Sequence, residues 1–417
     1  MSAPAPSRVV IVGASAAGRS AAVALREGGH EGEVILLGEE PDPPYDRPQL
    51  SKEYLRGDAT LDDVIRPLRL TPEHAIETRL GVRVRRVLPD EQAVELEGGE
   101  RVGYDGLLLA TGVRNRRLRV PGADLEGVLD LRDVAGSDRI RAAAVSGRRA
   151  VVVGMGFIGC EVAAALRHLG AEVIAVEPLA VPLERSLGET VGRVVEGLHR
   201  DHGVDLRLGE GVSAFEGAGR VERVMTRDGA AIDCDLVVVG VGVEPAVETV
   251  AGTAVEVDDG ILVDERCRTS VPGILAAGDV ARHHHPVAGR HLRVEHWQNA
   301  VQQGKVAAST LLGGDAVHDE IPWFWSDQYD CNIQYAGFAE PWDRLVVRGS
   351  LEERRFTAFQ LREGRVVAAV AINQGRDLRR TVPLIRAGAV VDPERLADPG
   401  VDLRSLLTQA PSGPSRA

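Results

Sequence analysis

The chain has 417 residues, 44% of them apolar and 27% charged, with a formal net charge of −13. This length allows two or three domains with a large buried core, and the excess of acid argues against nucleic acid or an anionic membrane as partner. No apolar run approaches the ~20 residues of a membrane-spanning helix. The N-terminal MSAPAPSR has no apolar signal core, so the expectation is a cytoplasmic protein with a short flexible lead. Four cysteines, Cys160, Cys234, Cys267 and Cys331, lie far apart and form no C-x-x-C or zinc spacing, as in a reducing compartment.

Val9–Val12 reads as a buried strand. It runs into Gly13-Ala14-Ser15-Ala16-Ala17-Gly18, then a helix from Arg19 to about Gly28 and a second strand at Val34–Leu37. Strand, glycine turn, helix and strand in this order form a dinucleotide-binding unit, and Glu39 stands where an acid would meet a ribose. Ser15 replaces the usual middle glycine; it is small and can donate to a phosphate. Pro43 to Lys52, PPYDRPQLSK, has too many prolines for a regular element. It is a rigid surface loop leading into a helix from Ser51, or a cofactor wall carrying Arg47 and Lys52.

Residues 61–105 contain alternating runs such as Val82-Arg83-Val84 and Ala93–Leu96, expected as an antiparallel piece of a mixed sheet. Leu107–Ala110 reads as a buried strand ending at Thr111-Gly112, where backbone can approach a cofactor closely. Arg114, Arg116, Arg117 and Arg119 follow, as a solvated face or a partner patch.

The strongest signal lies at Val151–Gly159. Val151–Val153 is a strand, Gly154-Met155-Gly156-Phe157-Ile158-Gly159 is a full G-x-G-x-x-G turn, and Glu161–Leu169 is a helix. Val173–Val176 then ends in Glu177, 18 residues after Gly159. The first glycine allows the turn, the second lets backbone approach a pyrophosphate, and the third lets helix pack on strand. The phosphates meet the positive end of the helix. Glu177 would bond a ribose 2′-hydroxyl and repel a 2′-phosphate. Pro178, Leu179 and Ala180 supply no Arg for that phosphate, although Arg185 is near, so NAD is favoured over NADP. Two nucleotide units in one chain suggest that nicotinamide passes hydride to a flavin, which places FAD on the N-terminal unit. Lys52 near a flavin would then stabilise its reduced, anionic form.

The nicotinamide unit closes near residue 245, after the strand Leu236–Val239 and Gly240-Val241-Gly242. Gly260–Val263 and Ile274–Ala277 return to strand pattern, and Gly278-Asp279 would bond a ribityl hydroxyl or cap a helix. His283-His284-His285, with His291 and His296, lacks the spacing of a metal site and reads as a solvated loop. Cys160 reads as a small apolar core residue. Trp297 precedes a helix expected from Asn299 to about Leu312, which Gly313-Gly314 ends. From Pro322 the texture changes: Trp323-Phe324-Trp325 concentrates aromatics, and strands follow at Leu345–Val347, Phe356–Gln360 and Val366–Ala371. This reads as a small α+β domain, with Trp325 either in its core or facing the flavin. Pro411–Ala417 reads as a disordered tail.

GASAAG, PPYDRPQLSK, LLLATG, GMGFIGCEVA, ILAAGDVA, VEHWQNAVQQGK and PWFWSDQY resemble, in the same order, the FAD-dependent, NADH-dependent ferredoxin reductases that serve oxygenases. The resemblance covers essentially the whole chain; YDRPQLSK and PWFWSDQY are its most specific pieces. It implies two Rossmann-like dinucleotide-binding domains in the glutathione-reductase-like arrangement plus the C-terminal α+β domain. FAD would occupy residues 1–118 and 246–321, NAD residues 119–245, and residues 322–417 would cover the flavin. It also implies FAD contacts at Ser15, Ala17, Glu39, Lys52, Val84, Arg132, Asp279 and Trp297. NAD would meet Glu161 and Glu177, with Phe157 beside the flavin and displaced by nicotinamide. Disulfide reductases of this fold carry a cysteine pair on the segment that is Gln49–Tyr54 here, and this chain has none. Electrons would then leave reduced flavin singly, near Trp325, for an iron–sulfur ferredoxin. Lys52 is expected to pair with Glu161 until nicotinamide binds. Two other functions fit the same residues: direct reduction of a small molecule or dioxygen, or redox sensing of the kind that a resemblance to apoptosis-inducing factors would allow.

Overall fold

The computed structural model describes residues 6–66, 68 and 75–407; the C-terminal tail expectation lies outside them. Three five-stranded sheets organise the chain. In the first, Arg8–Val12 is the central strand. It pairs in parallel with Glu33–Leu37 on one side and Gly106–Leu109 on the other, with Ile274–Ala276 and Glu77–Arg79 at the edges. All of these strands but the polar, exposed edge strand Glu77–Arg79 are apolar runs because both faces are covered; Val9, Val10 and Ile11 are fully buried.

The second sheet repeats the plan around Arg149–Val153, flanked in parallel by Glu172–Glu177 and Leu236–Val239. Two short antiparallel segments, Val113–Asn115 and Val243–Pro245, carry the chain out of the first unit and back into it. The third sheet is wholly antiparallel. Trp323–Gln328 pairs with Cys331–Gly337, which pairs with Arg365–Ile372, then Arg355–Arg362 and Arg344–Ser350. The helix Gly375–Ala387 packs on it through Leu378, Leu384 and Ile385.

Both glycine-turn helices begin earlier than the sequence suggests, at Ala16 and at Phe157. Their first turns start inside the glycine motifs, so the first N–H groups of each helix have no partner within it. Two expectations are corrected. The alternating runs of residues 61–105 do not join the parallel sheet. Val84–Leu88, Ala93–Leu96 and Arg101–Gly103 form their own antiparallel sheet, and only Glu77–Arg79 adds to the edge of the large one. The histidine tract is a strand, Ala281–His285, and not a solvated loop. Period-two alternation buries His283 and His285 while His284 stays half-exposed. His285 Nε2 meets the Glu320 carbonyl at 3.0 Å, and its Nδ1 accepts from Val287 N–H. Among the described residues no cluster of His, Cys, Asp or Glu is arranged to hold a metal, and no helix is long and apolar enough to cross a membrane.

Candidate active site

Backbone sterics build the first turn. Gly13 has φ +112°, and a Cβ there would sit 2.1 Å from the Ala110 carbonyl oxygen. At Gly18 a Cβ would sit 1.8 Å from the Gly13 oxygen; that glycine lies behind the turn and lets the helix Ala16–Glu27 close on its strand. Ser15 is the N-cap of that helix, yet its side chain makes no cap hydrogen bond, so its hydroxyl is free for a ligand. The helix Trp297–Leu311 crosses the first helix at Gly304, where a Cβ would meet the Ala17 oxygen at 2.3 Å. This close crossing fixes Trp297 at the helix start. One turn and a half further on, Gln303 Oε1 accepts from the Gly278 N–H at 2.8 Å and pins the turn that carries Asp279.

A cavity of about 2060 Å³ runs along these elements. At one end lie Glu39 and Val84, and Gly13, Ser15 and Ala17 form its floor. Ala110, Thr111, Gly112 and Gly278 close one side; Arg47, Lys52, Arg132, Asp279, Trp297 and Trp325 surround the other end. Thr111 Oγ1 donates to the Ala246 carbonyl at 2.7 Å, tying the two halves of the first unit together. The loop Pro43–Lys52 is therefore a cavity wall, with a 3-10 turn at Arg47–Ser51. Arg47 is held there by Glu40 at 2.5 Å and by the Arg132 carbonyl. The arginine run Arg114–Arg119 lines the rim, where Arg114 pairs with Glu248 and Glu39.

Asp279 and Arg132 test whether these residues fit a flavin nucleotide. Among the described residues neither side chain has a hydrogen-bond partner. Burial pushes the Asp279 carboxyl up against the pull of Arg132, and burial followed by the Arg47 charge pulls Arg132 down. An acceptor and a donor left unspent in a long cavity suit a polyhydroxyl chain and a ring edge, and the floor is a helix N-terminus that suits a pyrophosphate. The residues fit FAD.

The second turn obeys the same sterics. A Cβ at Gly154 would meet the Gly240 oxygen at 2.4 Å, and one at Gly159 would meet the Gly154 oxygen at 1.9 Å. A Cβ at Gly156 would meet nothing within 4 Å, so that glycine answers to no neighbour in the chain. Glu177 is buried, and its oxygens accept from the N–H groups of Met155 at 2.6 Å and Leu179 at 3.0 Å. It braces the turn. Gly18, Gly154, Gly156, Gly159, Glu177 and Gly242 lie outside the cavity wall; Phe157, Ile158 and Glu161 belong to it. Gly156 and Gly242 are exposed. Arg185 is also exposed and lines the cavity.

All three sheet units meet at Glu161. Lys52 Nζ lies 2.7 Å from Glu161 Oε2, and both side chains are at most 6% exposed. Ser51 Oγ donates to the same oxygen, and Ser326 Oγ donates to Oε1 at 2.6 Å. Neither serine was singled out by sequence. Ser326 carries a signal only once Trp323–Gln328 is recognised as a strand, in which it points opposite to Trp325. Around the pair, Phe157 packs edge-on to Phe324 at 4.6 Å, and Trp325 lies 6.4 Å from Trp297. Trp325 thus faces the cavity. The four cysteines are buried and free, and none lines the cavity. Burial, with Glu161 nearby, drives the Cys160 thiol well up, away from reactivity.

The family described as pyridine nucleotide-disulphide oxidoreductase matches residues 7–304, and the one described as reductase C-terminal matches residues 323–407. The chain is 42% identical to the anthranilate 1,2-dioxygenase system ferredoxin--NAD(+) reductase component of Burkholderia cepacia, covering 95% of this chain and 98% of that protein. It is 40% identical to rhodocoxin reductase of Rhodococcus erythropolis, over 96% and 94%. Its fold superposes with a TM-score of 0.92 on the reductase of a covalent putidaredoxin reductase–putidaredoxin complex, at 35% identity over 97% of this chain and 99% of that one.

Proposed function

Because the chain belongs to the pyridine nucleotide-disulphide oxidoreductase family, we propose that it is an NADH-dependent, FAD-containing ferredoxin reductase serving an oxygenase. The observation that carries this reading is a cavity shared by both nucleotide units, with a buried Lys52–Glu161 pair and no thiol in its wall. When bound, FAD accepts hydride from NADH and releases electrons one at a time to the ferredoxin.

The rest is done by this chain. Residues 1–118 and 246–321 hold FAD, 119–245 hold NADH, and 322–417 form the cover. Ser15 and the helix behind it take the pyrophosphate of FAD, Glu39 its ribose, and Asp279 and Arg132 its ribityl chain and ring. Gly156 admits the NADH pyrophosphate, and Glu177 selects the unphosphorylated ribose. Phe157 occupies the nicotinamide's place until the dinucleotide docks. Lys52 supplies positive charge where negative charge develops, inside a site that screens it little. Trp325 stands on the side where the ferredoxin, an iron–sulfur protein, takes up electrons. No general acid is required, since hydride transfer needs position more than proton transfer. The protein works in the cytoplasm.

The test is NADH-driven reduction of an oxidised oxygenase ferredoxin, followed by the ferredoxin's own absorbance. The reading requires NADH consumption to depend on ferredoxin. Equal NADH consumption without it, sustained by dioxygen or a small acceptor, overturns the reading.

A further inference from the structure

Behind Glu161 the buried polar groups continue, away from the cavity. Ser326 Oγ donates to Glu161 Oε1 at 2.6 Å, and Gln328 Nε2 donates to Ser326 Oγ at 3.1 Å. Gln328 Oε1 lies 3.1 Å from His199 Nε2, and the Tyr329 hydroxyl lies 3.2 Å from His199 Nδ1. Ser326, Gln328 and His199 are fully buried, and none lines the cavity. The chain joins the helix Glu184–Asp201 to the strand Trp323–Gln328 and ends on Glu161.

The direction of every bond can be assigned. Burial pulls His199 down to about 4, so its ring is neutral at neutral pH. Its Nε2 faces an amide oxygen and must carry the proton; Nδ1 then accepts from Tyr329. Burial pushes the Tyr329 hydroxyl up, so it keeps its proton. Tyr329, His199, Gln328 and Ser326 thus donate in one sense, each toward Glu161. Bonds aligned head to tail polarise one another. The chain cannot conduct a proton, because the Gln328 amide nitrogen has no free lone pair to take one from Ser326. Its remaining capacity is to hold.

We infer that Gln328 and His199 are positioning residues of the hydride-accepting site: they fix Ser326 as a donor to Glu161 and so set how much of the Glu161 charge is left to Lys52. The inference rests on the proposed function only for the place of FAD beside Lys52. Docking of the C-terminal sheet becomes part of the electrostatics of the cavity, because Gln328 and Ser326 both sit on its first strand.

The experiment uses the flavin-loaded full chain and three variants. Gln328→Met keeps the length and removes the amide; His199→Leu removes the ring donor; His199→Gln keeps a donor for Gln328 Oε1. With the chain cut, Glu161 pairs more fully with Lys52 and screens it from the cavity. The flavin midpoint potential, titrated with dithionite and mediator dyes in the absence of nicotinamide, should move negative in Gln328→Met and His199→Leu and return in His199→Gln. The limiting rate of flavin reduction by NADH should fall roughly tenfold in the first two. One midpoint potential shared by all four proteins overturns the inference, as does a shift that His199→Gln fails to reverse. No NADH enters the potential measurement, so this failure is distinct from failure of the NADH assignment, which would appear as wild-type flavin that NADH does not bleach.

Discussion

The two nucleotide units differ where they meet ligand and agree where they meet themselves. Gly13 and Gly154 both have positive φ, and a Cβ would strike a neighbouring carbonyl at 2.1 and 2.4 Å. Gly18 and Gly159 both back onto the turn, at 1.8 and 1.9 Å. At the middle position the first unit has Ser15, with an unspent hydroxyl, and the second has Gly156, with open space. The acids differ too. The Glu39 side chain is 53% exposed and only loosely paired with Arg83 and Arg114, whereas Glu177 is 7% exposed and braces its own turn. Positions fixed by backbone contact are interchangeable between the units. The positions proposed to face a ligand have diverged, which fits one nucleotide held throughout and one that must come and go.

The largest expected effect tests the junction between the units. Lys52→Met leaves Glu161 as a buried charge with only serine partners, which should cost about 3–5 kcal/mol of stability, measured by urea unfolding. A cost below about 1 kcal/mol would mean that the pair is not buried in solution. Next come the interchangeable glycines. Gly18→Ala and Gly159→Ala should each cost about 3 kcal/mol, since the new methyl meets a backbone carbonyl. Unequal costs would break the claimed equivalence of the two turns.

Acid should separate the units more gently. His283 is held down to about 2 and His318 to about 4, chiefly by burial, on the side of the first unit; on the second, His199 is held to about 4. A buried neutral histidine gains its proton near pH 6.5 only when unfolded. Its stabilising contribution is therefore full above that pH and is lost as pH falls toward the folded value, by about 2 kcal/mol per histidine at pH 5. Hydrogen exchange between pH 7 and pH 5 should show Arg8–Val12 losing protection before Arg149–Val153. The reverse order would contradict the placement of these rings.

The smallest effects are the most specific. Gly156→Ala should change stability by less than about 1 kcal/mol, because its Cβ meets nothing, yet weaken NADH binding roughly tenfold. Glu177→Gln should narrow the preference for NADH over NADPH by about the same factor, read as the ratio of kcat/KM values. A Gly156→Ala protein that binds NADH normally would remove the pyrophosphate from that turn.

Both glycine turns and their strands were legible because local sterics dictate them, whereas the residues left the loop carrying Lys52 as either surface or cofactor wall, and only the resemblance favoured the wall. A glycine whose added Cβ would fall within about 2.5 Å of a carbonyl oxygen announces itself by its spacing. Four features were not legible. The burial of His283 and His285 was hidden because the run His283–His285 is histidine on both faces, and only Ala281 marks the inward face. The hairpin from Trp323 to Gly337 was masked by its aromatics, which gave no period of two. The helix Gly375–Ala387 contains Pro383, which argues against a helix interior in isolation. The link from Glu161 to Ser326 on the far sheet, and through it to Gln328, depends on tertiary contact between segments 165 residues apart, which no local pattern encodes.

The most direct measurement is an anaerobic titration of the purified protein with NADH, then separately with NADPH, followed in the flavin absorbance. The account predicts bleaching by one equivalent of NADH, little by NADPH, and full recovery of the oxidised spectrum on adding oxidised ferredoxin. Absence of a flavin spectrum, or bleaching that dioxygen reverses and ferredoxin does not, would contradict it.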